Sequence, residues 1–268
     1  MVRCARSACG RRRPDLLAVY LRFGLYLDQE WYCSKRCVEE TVRQRISNLP
    51  AVQPAWVQGW RPIKLGLLLM KQVGLSRDAI DAALEAQEHS HTPFGQTLCR
   101  LGLVTADDVM RALATQAGVR YLKSVDHRLL ALRPGGLSRD TVETLGIVPV
   151  SADLKRGELQ VACIAPIPGH AVRALARLTQ MSVEPMLVAD DQLPGLINVY
   201  SSAGGRSSPI IGAVCTEATG PATIAKLAKA HRSVVMTQER CDPYVWVRIA
   251  SGSATADVLM TLSVAGRI

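Results

Sequence analysis

The feature that most constrains the fold is a stretch of 24 residues that occurs twice in the first half of the chain. Lys64–Gln87 and Pro93–Gln116 align without gaps at an offset of 29 residues, and Gly66 corresponds to Gly95. Self-similarity at a fixed offset indicates one supersecondary unit used twice. The sequence therefore predicts two equivalent units that pack together.

Each unit has the pattern of a helix, a turn and a second helix. Gly74 and Gly102 are suited to end the first helix, because glycine readily adopts the left-handed conformation there. Ser76 and Thr105 are suited to cap the second helix. We predict a tandem helix-turn-helix repeat over residues 62–122.

Four of the eight cysteines form two close pairs near the amino terminus, Cys4 with Cys9 and Cys33 with Cys37. Two pairs separated by one folded segment suit a tetrahedral, structural Zn²⁺ site. Disulfides or free thiols are the alternative, although a reducing cytosol disfavours disulfides. The intervening segment Leu16–Leu27 predicts a hairpin. The other cysteines show no pairing pattern and are expected to be small apolar side chains: Cys99, Cys163, Cys215 and Cys241.

The basic charge is concentrated near the amino terminus. Residues 1–61 hold 11 basic and 5 acidic residues, which gives +6 of the net charge of +9. Nucleic-acid binding by this basic head is a weak alternative function, since no series of aromatic residues accompanies the arginines. No apolar run reaches the roughly 18 residues of a membrane span, and the first residues do not resemble a secretory signal. We expect a cytoplasmic protein.

The second half of the chain predicts mixed structure. Strand and helix patterns alternate from residue 123 to Tyr200, followed by a Gly- and Ser-rich stretch and then one helix and two strands. The predicted fold class is α+β multidomain, with a four-Cys zinc finger, a tandem helix-turn-helix repeat, a small α/β domain and a C-terminal αββ module. The predicted boundaries are a zinc-binding head at 1–48, a linker at 49–61, the repeat at 62–122, the α/β part at 123–203, a linker at 204–219 and the αββ module at 220–268.

The repeat has the pattern of a known family. KLGLLLMKQVGLSRDAIDAALEAQ and PFGQTLCRLGLVTADDVMRALATQ, separated by five residues, resemble the two units in the amino-terminal, MshEN-type domain of the type II secretion and type IV pilus assembly ATPases. The resemblance continues through the α/β part and covers roughly Pro62–Ser202.

This resemblance implies a cyclic di-GMP site in the repeat. The positions that match the family's binding pattern are Lys64, Leu65, Gly66, Leu69, Leu84, Gln87, Phe94, Gly95, Leu98, Gly102, Leu103, Leu113 and Gln116. The family's leading arginine is replaced in both units, by Lys64 and by Pro93. Lysine lacks the flat, forked guanidinium, and proline supplies no charge, so loss of nucleotide binding is the alternative.

The family's ATPase activity is not expected here. The sequence contains no Gly-x4-Gly-Lys-Ser/Thr phosphate loop and no catalytic constellation. We therefore expect a non-catalytic cyclic di-GMP sensor or adaptor. Its expected partner is a secretion or pilus component, either an ATPase or an inner-membrane platform protein, which would place it peripherally at the inner membrane. The alternative is a structural protein–protein interaction module that binds no nucleotide.

Overall fold

A computed structural model describes most of the chain. The described residues are 1–14, 24–50, 63–90, 92–130, 136–202, 211–231, 233–252 and 254–262. Most of the hairpin predicted at Leu16–Leu27 and most of the linker predicted at 49–61 lie outside them. None of the helices in these ranges is long and apolar enough to cross a membrane.

The head consists of four short strands and one helix. Its elements are β1 (Val2–Arg3), β2 (Arg12–Arg13), β3 (Leu25–Leu27), β4 (Glu30–Tyr32) and α1 (Lys35–Ser47). β1 pairs with β2 and β3 pairs with β4, both antiparallel. Ser34 caps α1 by accepting a hydrogen bond from the Cys37 backbone N–H. Val38, Val42 and Ile46 form the buried face of this helix.

The repeat forms four helices, as the sequence predicts. They are α2 (Leu65–Val73), α3 (Arg77–Ser90), α4 (Phe94–Arg100) and α5 (Ala106–Ala117). Gly74 and Gly102 both have φ of +70°, so each ends its turn in the left-handed conformation. Thr105 caps α5 in a reciprocal capping box with Asp108. Local signals in the sequence therefore set the ends of α2 and α4 and the start of α5.

The α/β part is built on a four-stranded sheet of order β5-β8-β7-β6. Its elements are β5 (Arg120–Tyr121), α6 (His127–Leu130), α7 (Arg139–Leu145), β6 (Ile147–Asp153), β7 (Glu158–Cys163), α8 (Gly169–Thr179), β8 (Ser182–Leu187) and α9 (Leu193–Ser202). The apolar core of this sheet also contains Met110 and Ala114 of α5. The repeat and the α/β part are thus packed together through α5.

The C-terminal part contains two more strands than predicted. Its elements are β9 (Ile211–Thr216), α10 (Gly220–His231), β10 (Ser233–Cys241), β11 (Tyr244–Ser251) and β12 (Ala254–Thr261). β9 falls in the predicted linker 204–219, of which residues 204–210 lie outside the described chain. β9 pairs in parallel with β12, which is distant in sequence, so β9 has no hairpin signal of its own. β12 also pairs antiparallel with the preceding strand β11, in the register Ser251 with Ala254.

The predicted separation of the head at 1–48 from the module at 220–268 is wrong. Both contribute to one six-stranded sheet of order β4-β3-β10-β11-β12-β9. β3 pairs in parallel with β10 in the register Tyr26 with Ser233 and Leu27 with Val234. The physical reason is that β3 and β10 each have an open edge, and pairing satisfies their backbone groups.

The six-stranded sheet is covered on both faces. Val245, Val247 and Ile249 face an apolar cluster shared with the head and α10. Trp246 and Leu259 face the core of the α/β part. The alternation along β11 follows from the two-residue period of a strand, and the sheet joins the two cores.

Candidate functional site

The four amino-terminal cysteines are brought together as predicted. Their four sulfur atoms all lie within 4.8 Å of one another. The Sγ atom of Cys33 is 3.5 Å from that of Cys9 and 3.6 Å from that of Cys37. Tetrahedral Zn²⁺ with arms of about 2.3 Å requires sulfur atoms about 3.8 Å apart. The donor set and its spacing therefore fit Zn²⁺.

Elements of the head position each ligand. Cys4 follows β1, and its N–H donates to the carbonyl oxygen of Arg11 over 2.9 Å, which closes the loop that carries Cys9. Cys33 follows β4, and Cys37 lies in the first turn of α1. Cys4 and Cys37 are buried, whereas Cys9 and Cys33 are half-buried. The hairpin β3–β4 and the helix α1 thus meet at the ligands.

Crowding changes the acidity of these thiols. Burial, together with hydrogen bonds to Cys9 and Cys37, raises the pKa of Cys33 to about 12. Burial also opposes ionisation of Cys37, but hydrogen bonds from Ser34 and the neighbouring thiols outweigh it and lower its pKa to about 7. The raised pKa of Cys33 opposes its ionisation, and a bound cation would stabilise its thiolate.

The remaining cysteines are dispersed. Cys163 and Cys241 are buried, and burial raises the pKa of each thiol to about 12, as expected for unreactive apolar side chains. Cys99 and Cys215 are half-buried. Among the described residues, the cluster of four is the single group of at least three cysteine, histidine or acidic side chains that could hold a metal.

The repeat packs with the symmetry that its sequence implies. The α-carbon of Gly66 faces Ile80 and Phe94, and that of Gly95 faces Val109 and Leu65. Each glycine thus faces one residue of its own unit and one of the other, at positions related by the same 29-residue offset. The glycines allow α2 and α4 to lie close to their neighbouring helices.

The residues predicted to bind nucleotide divide by exposure into three groups. The exposed ones are Lys64, Leu84, Gly102 and Leu103. The half-buried ones are Leu65, Gly66, Gln87, Phe94, Leu113 and Gln116. The buried ones are Leu69, Gly95 and Leu98. Leu69 and Leu98 are both 0% exposed in the core between the helices, so they support the surface of the repeat and do not form it.

Two hydrogen bonds connect the ends of the repeat. The Gln116 side-chain amide donates to the carbonyl oxygen of Ile63 over 2.6 Å, and that of Gln72 donates to the Thr115 hydroxyl over 3.0 Å. Gln116, a predicted ligand-binding residue, therefore has a structural contact in this conformation.

A cavity that the sequence did not indicate lies between α2, α5 and β5. It has a volume of about 380 Å³, and its polar lining includes Gln72, Arg111 and Tyr121. Within the described part of the chain, none of the predicted nucleotide-binding residues lines it. Burial, followed by the neighbouring Asp107, raises the pKa of Tyr121. No motif in the sequence connects these residues, which come from separate elements.

We expect Gly95→Ala to destabilise the repeat and Gly66→Ala to be tolerated. A β-carbon at Gly95 would lie 2.6 Å from Cγ1 of Val109, whereas one at Gly66 would lie 3.4 Å from Cδ1 of Ile80. Overpacking of this kind costs about 1–3 kcal/mol, and alanine in a helix returns at most about 1 kcal/mol. Urea denaturation of the two variants measures the difference.

Val109 provides the control for this prediction. Gly95→Ala combined with Val109→Ala should be more stable than the sum of the two single changes, because the new methyl group fills space that the smaller side chain leaves. Equal stability of the Gly66 and Gly95 variants would contradict the packing role of Gly95.

Comparisons with known proteins locate the family signal. The family model of the MshEN domain matches residues 118–207. The type IV pilus assembly ATPase PilB of Thermus thermophilus is 33% identical over 135 residues, which are 48% of this chain and 14% of PilB. The matched region is thus a small part of that ATPase. The family match covers the α/β part and begins after α5, beyond the duplicated helices.

Two solved structures are also similar. A structure of MshE with cdg is 22% identical and covers 52% of this chain and 99% of the MshE chain, with a TM-score of 0.41. The N-terminal domain of XpsE is 18% identical and covers 51% of this chain and 92% of its own, with a TM-score of 0.34. The family and sequence matches show that this chain contains an MshEN domain, at residues 118–207, homologous to the amino-terminal region of the pilus ATPase PilB.

Proposed function

We propose that the chain is a non-catalytic adaptor that senses cyclic di-GMP through its helical repeat and MshEN domain. The observation that carries the proposal is the shared core of these two parts. Met110 and Ala114 of α5 lie in the core of the matched domain, and Leu113, a predicted binding residue, packs against it. A ligand that shifts α5 would therefore shift the α/β sheet.

The ligand and the class of partner that we propose are taken from the similar proteins. The MshE structure is described as containing cdg, and PilB is a pilus assembly ATPase. We propose that this chain binds cyclic di-GMP and transmits its state to an ATPase or an inner-membrane platform protein of a secretion or pilus system. It would act in the cytoplasm and reach the membrane through that partner. The lack of a phosphate-loop sequence supports a role without ATP hydrolysis.

The second candidate is an interaction module that binds no nucleotide. The burial of Leu69 and Leu98 and the packing of Gly95 against Val109 favour it, because these residues already have structural roles. Binding of nucleic acid by the head has less support: Trp31 and Tyr32, the aromatic side chains next to the cysteines, are buried and offer no stacking surface.

We also propose that Cys4, Cys9, Cys33 and Cys37 hold a structural Zn²⁺ ion. Four thiolates leave no open coordination position, which is typical of a structural site. The ion would join the loop after β1 to the hairpin β3–β4 and the start of α1. Within this site, the protein supplies all ligands and the ion supplies the cross-link.

Restoring the missing arginines should strengthen binding of cyclic di-GMP. Lys64 and Pro93 precede α2 and α4 at equivalent positions, are exposed, and have backbone angles that arginine readily adopts. A charge-assisted hydrogen bond contributes about 1.5–3 kcal/mol, so Lys64→Arg with Pro93→Arg should lower the Kd at least about tenfold. Calorimetry of the full chain with cyclic di-GMP measures the Kd of the natural chain and that of the double variant.

A charge-matched variant controls for non-specific attraction. Leu154→Arg adds the same charge as Pro93→Arg at a side chain that is 83% exposed, in the turn between β6 and β7. It should leave the Kd unchanged. If neither the natural chain nor the double variant gives a binding heat at high micromolar cyclic di-GMP, this nucleotide is excluded as the ligand. The interaction module is then the function that remains.

A further inference from the structure

We propose that the metal centre holds the head in the C-terminal sheet, so that metal occupancy governs the local stability of β10. This inference rests on the proposed Zn²⁺ site and extends its role to residues more than 190 positions away. The head and the C-terminal module contact each other within one chain, through a shared sheet and a shared apolar cluster. Four observations support this coupling: the strand pairing, the contacts of Asp28, the packing of α1 and the position of the ligands.

The first observation is that the head supplies the outer neighbour of β10. In the six-stranded sheet, β10 lies between β3 and β11. The β3–β10 pairing extends over two residue pairs, Tyr26 with Ser233 and Leu27 with Val234. Departure of β3 would leave β10 as an edge strand with open backbone donors and acceptors.

Asp28 extends this pairing beyond the strand. Its backbone N–H donates to the carbonyl oxygen of Val234 over 2.9 Å. Its carboxylate oxygen Oδ1 accepts the backbone N–H of Met236 over 2.7 Å, and Oδ2 forms an ion pair with Arg45 of α1. A single side chain thus connects the hairpin, the helix of the head and the edge of β10.

Helix α1 makes the second attachment. Its Val38 and Val42 lie in one apolar cluster with Ile224 and Ala228 of α10. The Gln238 side chain on β10 donates to the carbonyl oxygen of Arg45 over 3.4 Å. The head therefore docks through two elements, the β3–β4 hairpin and α1.

The cysteines fix the relative position of these two elements. Cys33 follows β4, and Cys37 lies in the first turn of α1. Cys4 and Cys37 belong to the apolar cluster that contains Val234 and Met236 of β10. A segment of about 50 residues supplies only a small core of its own, so we expect loss of the ion to loosen both docking elements together.

Hydrogen exchange on the full chain tests this coupling. The zinc-loaded protein and the same protein after chelation are compared by mass spectrometry, together with metal content. After chelation, we expect amides of residues 233–241 to exchange about tenfold faster or more, and those of residues 147–163 to change less than about twofold. Residues 147–163 include the whole of β6 and β7, which lie in the other sheet.

Asp28→Ala separates docking from metal binding. It removes the acceptor of the Met236 N–H but no metal ligand. The variant should keep its zinc, show fast exchange at residues 233–241 with zinc bound, and change little further on chelation. Arg45→Met, which removes the ion pair and keeps the apolar stem, should give a smaller change in the same direction. Glu30→Ala, at an exposed position of the same hairpin, is the control and should behave like the natural chain.

Each contrary outcome has one meaning. Zinc removal with unchanged exchange at residues 233–241, or with equal acceleration at residues 147–163, overturns the coupling and leaves the zinc site standing. Absence of metal from the purified chain overturns both. Neither outcome bears on cyclic di-GMP, which calorimetry tests separately.

Discussion

Replacing Cys37 with serine is expected to remove bound zinc from the full chain and to lower its stability. Serine preserves the size of the side chain at the start of α1, but its hydroxyl is a poor ligand for Zn²⁺ compared with a thiolate. Structural zinc in small fingers contributes apparent binding free energies on the order of 10 kcal/mol. Metal content should fall from about one ion per chain to near zero, and the urea midpoint should fall with it.

Cys99→Ser is the matched control for this change. Cys99 is a half-buried cysteine on α4, outside the cluster of four. Its replacement should leave metal content unchanged, and atomic emission spectroscopy of both purified variants gives the comparison. Retention of a full equivalent of zinc by the Cys37 variant would show that the four sulfurs are not the binding site.

The repeat and the cysteine cluster were predictable because their signals are local or closely spaced. Gly74 and Gly102 mark left-handed positions, and Thr105 with Asp108 forms a capping box, so a few neighbouring residues determine these three helix ends. The two cysteine pairs likewise occupy turns of one small segment. In such cases the conformational preferences and ligand chemistry of a few nearby residues leave very few possible local structures.

The joining of the head to the C-terminal sheet was not predictable from these signals. The β3–β10 pairing uses main-chain groups, and a backbone edge carries no side-chain pattern that identifies its partner. β9 lies next to a Gly- and Ser-rich stretch, and its partner β12 is separated from it by three elements. The contacts that select these pairings are long-range packing contacts.

The candidate nucleotide surface shows a different limit. The resemblance to the family assigns residues of this chain to the binding pattern, but it does not say whether their side chains are exposed. Leu69 and Leu98 match the family pattern and are buried here, and Gly95 is covered by Val109. Whether a position faces a ligand or a neighbouring helix depends on how closely the helices pack, which the binary pattern of the repeat does not specify.

Replacing Asp257 with alanine is expected to be the most destabilising change outside the metal centre. Asp257 lies on β12 and is 0% exposed. Its Oδ1 accepts hydrogen bonds from the Trp246 indole over 2.9 Å and from Nε of Arg248 over 2.8 Å. Its Oδ2 accepts from Nη2 of Arg248 over 3.0 Å. Removal of one partner from a buried ion pair costs about 3–5 kcal/mol, because the other charge stays buried without compensation.

Two further variants separate the buried pair from general damage to the sheet. Combining Asp257→Ala with Arg248→Met removes both charges, so the double variant should recover part of the lost stability. Glu239→Ala removes a second ion pair of the same sheet, whose partner Arg177 has a side chain that is 71% exposed, and should cost less than about 1 kcal/mol. The free energies of unfolding come from urea denaturation of the zinc-loaded chain. If the Asp257 and Glu239 variants lose equal stability, or if Arg248→Met gives no recovery, the buried pair does not hold β11 and β12 together as the structure indicates, since an uncompensated Arg248 charge is the source of the expected loss.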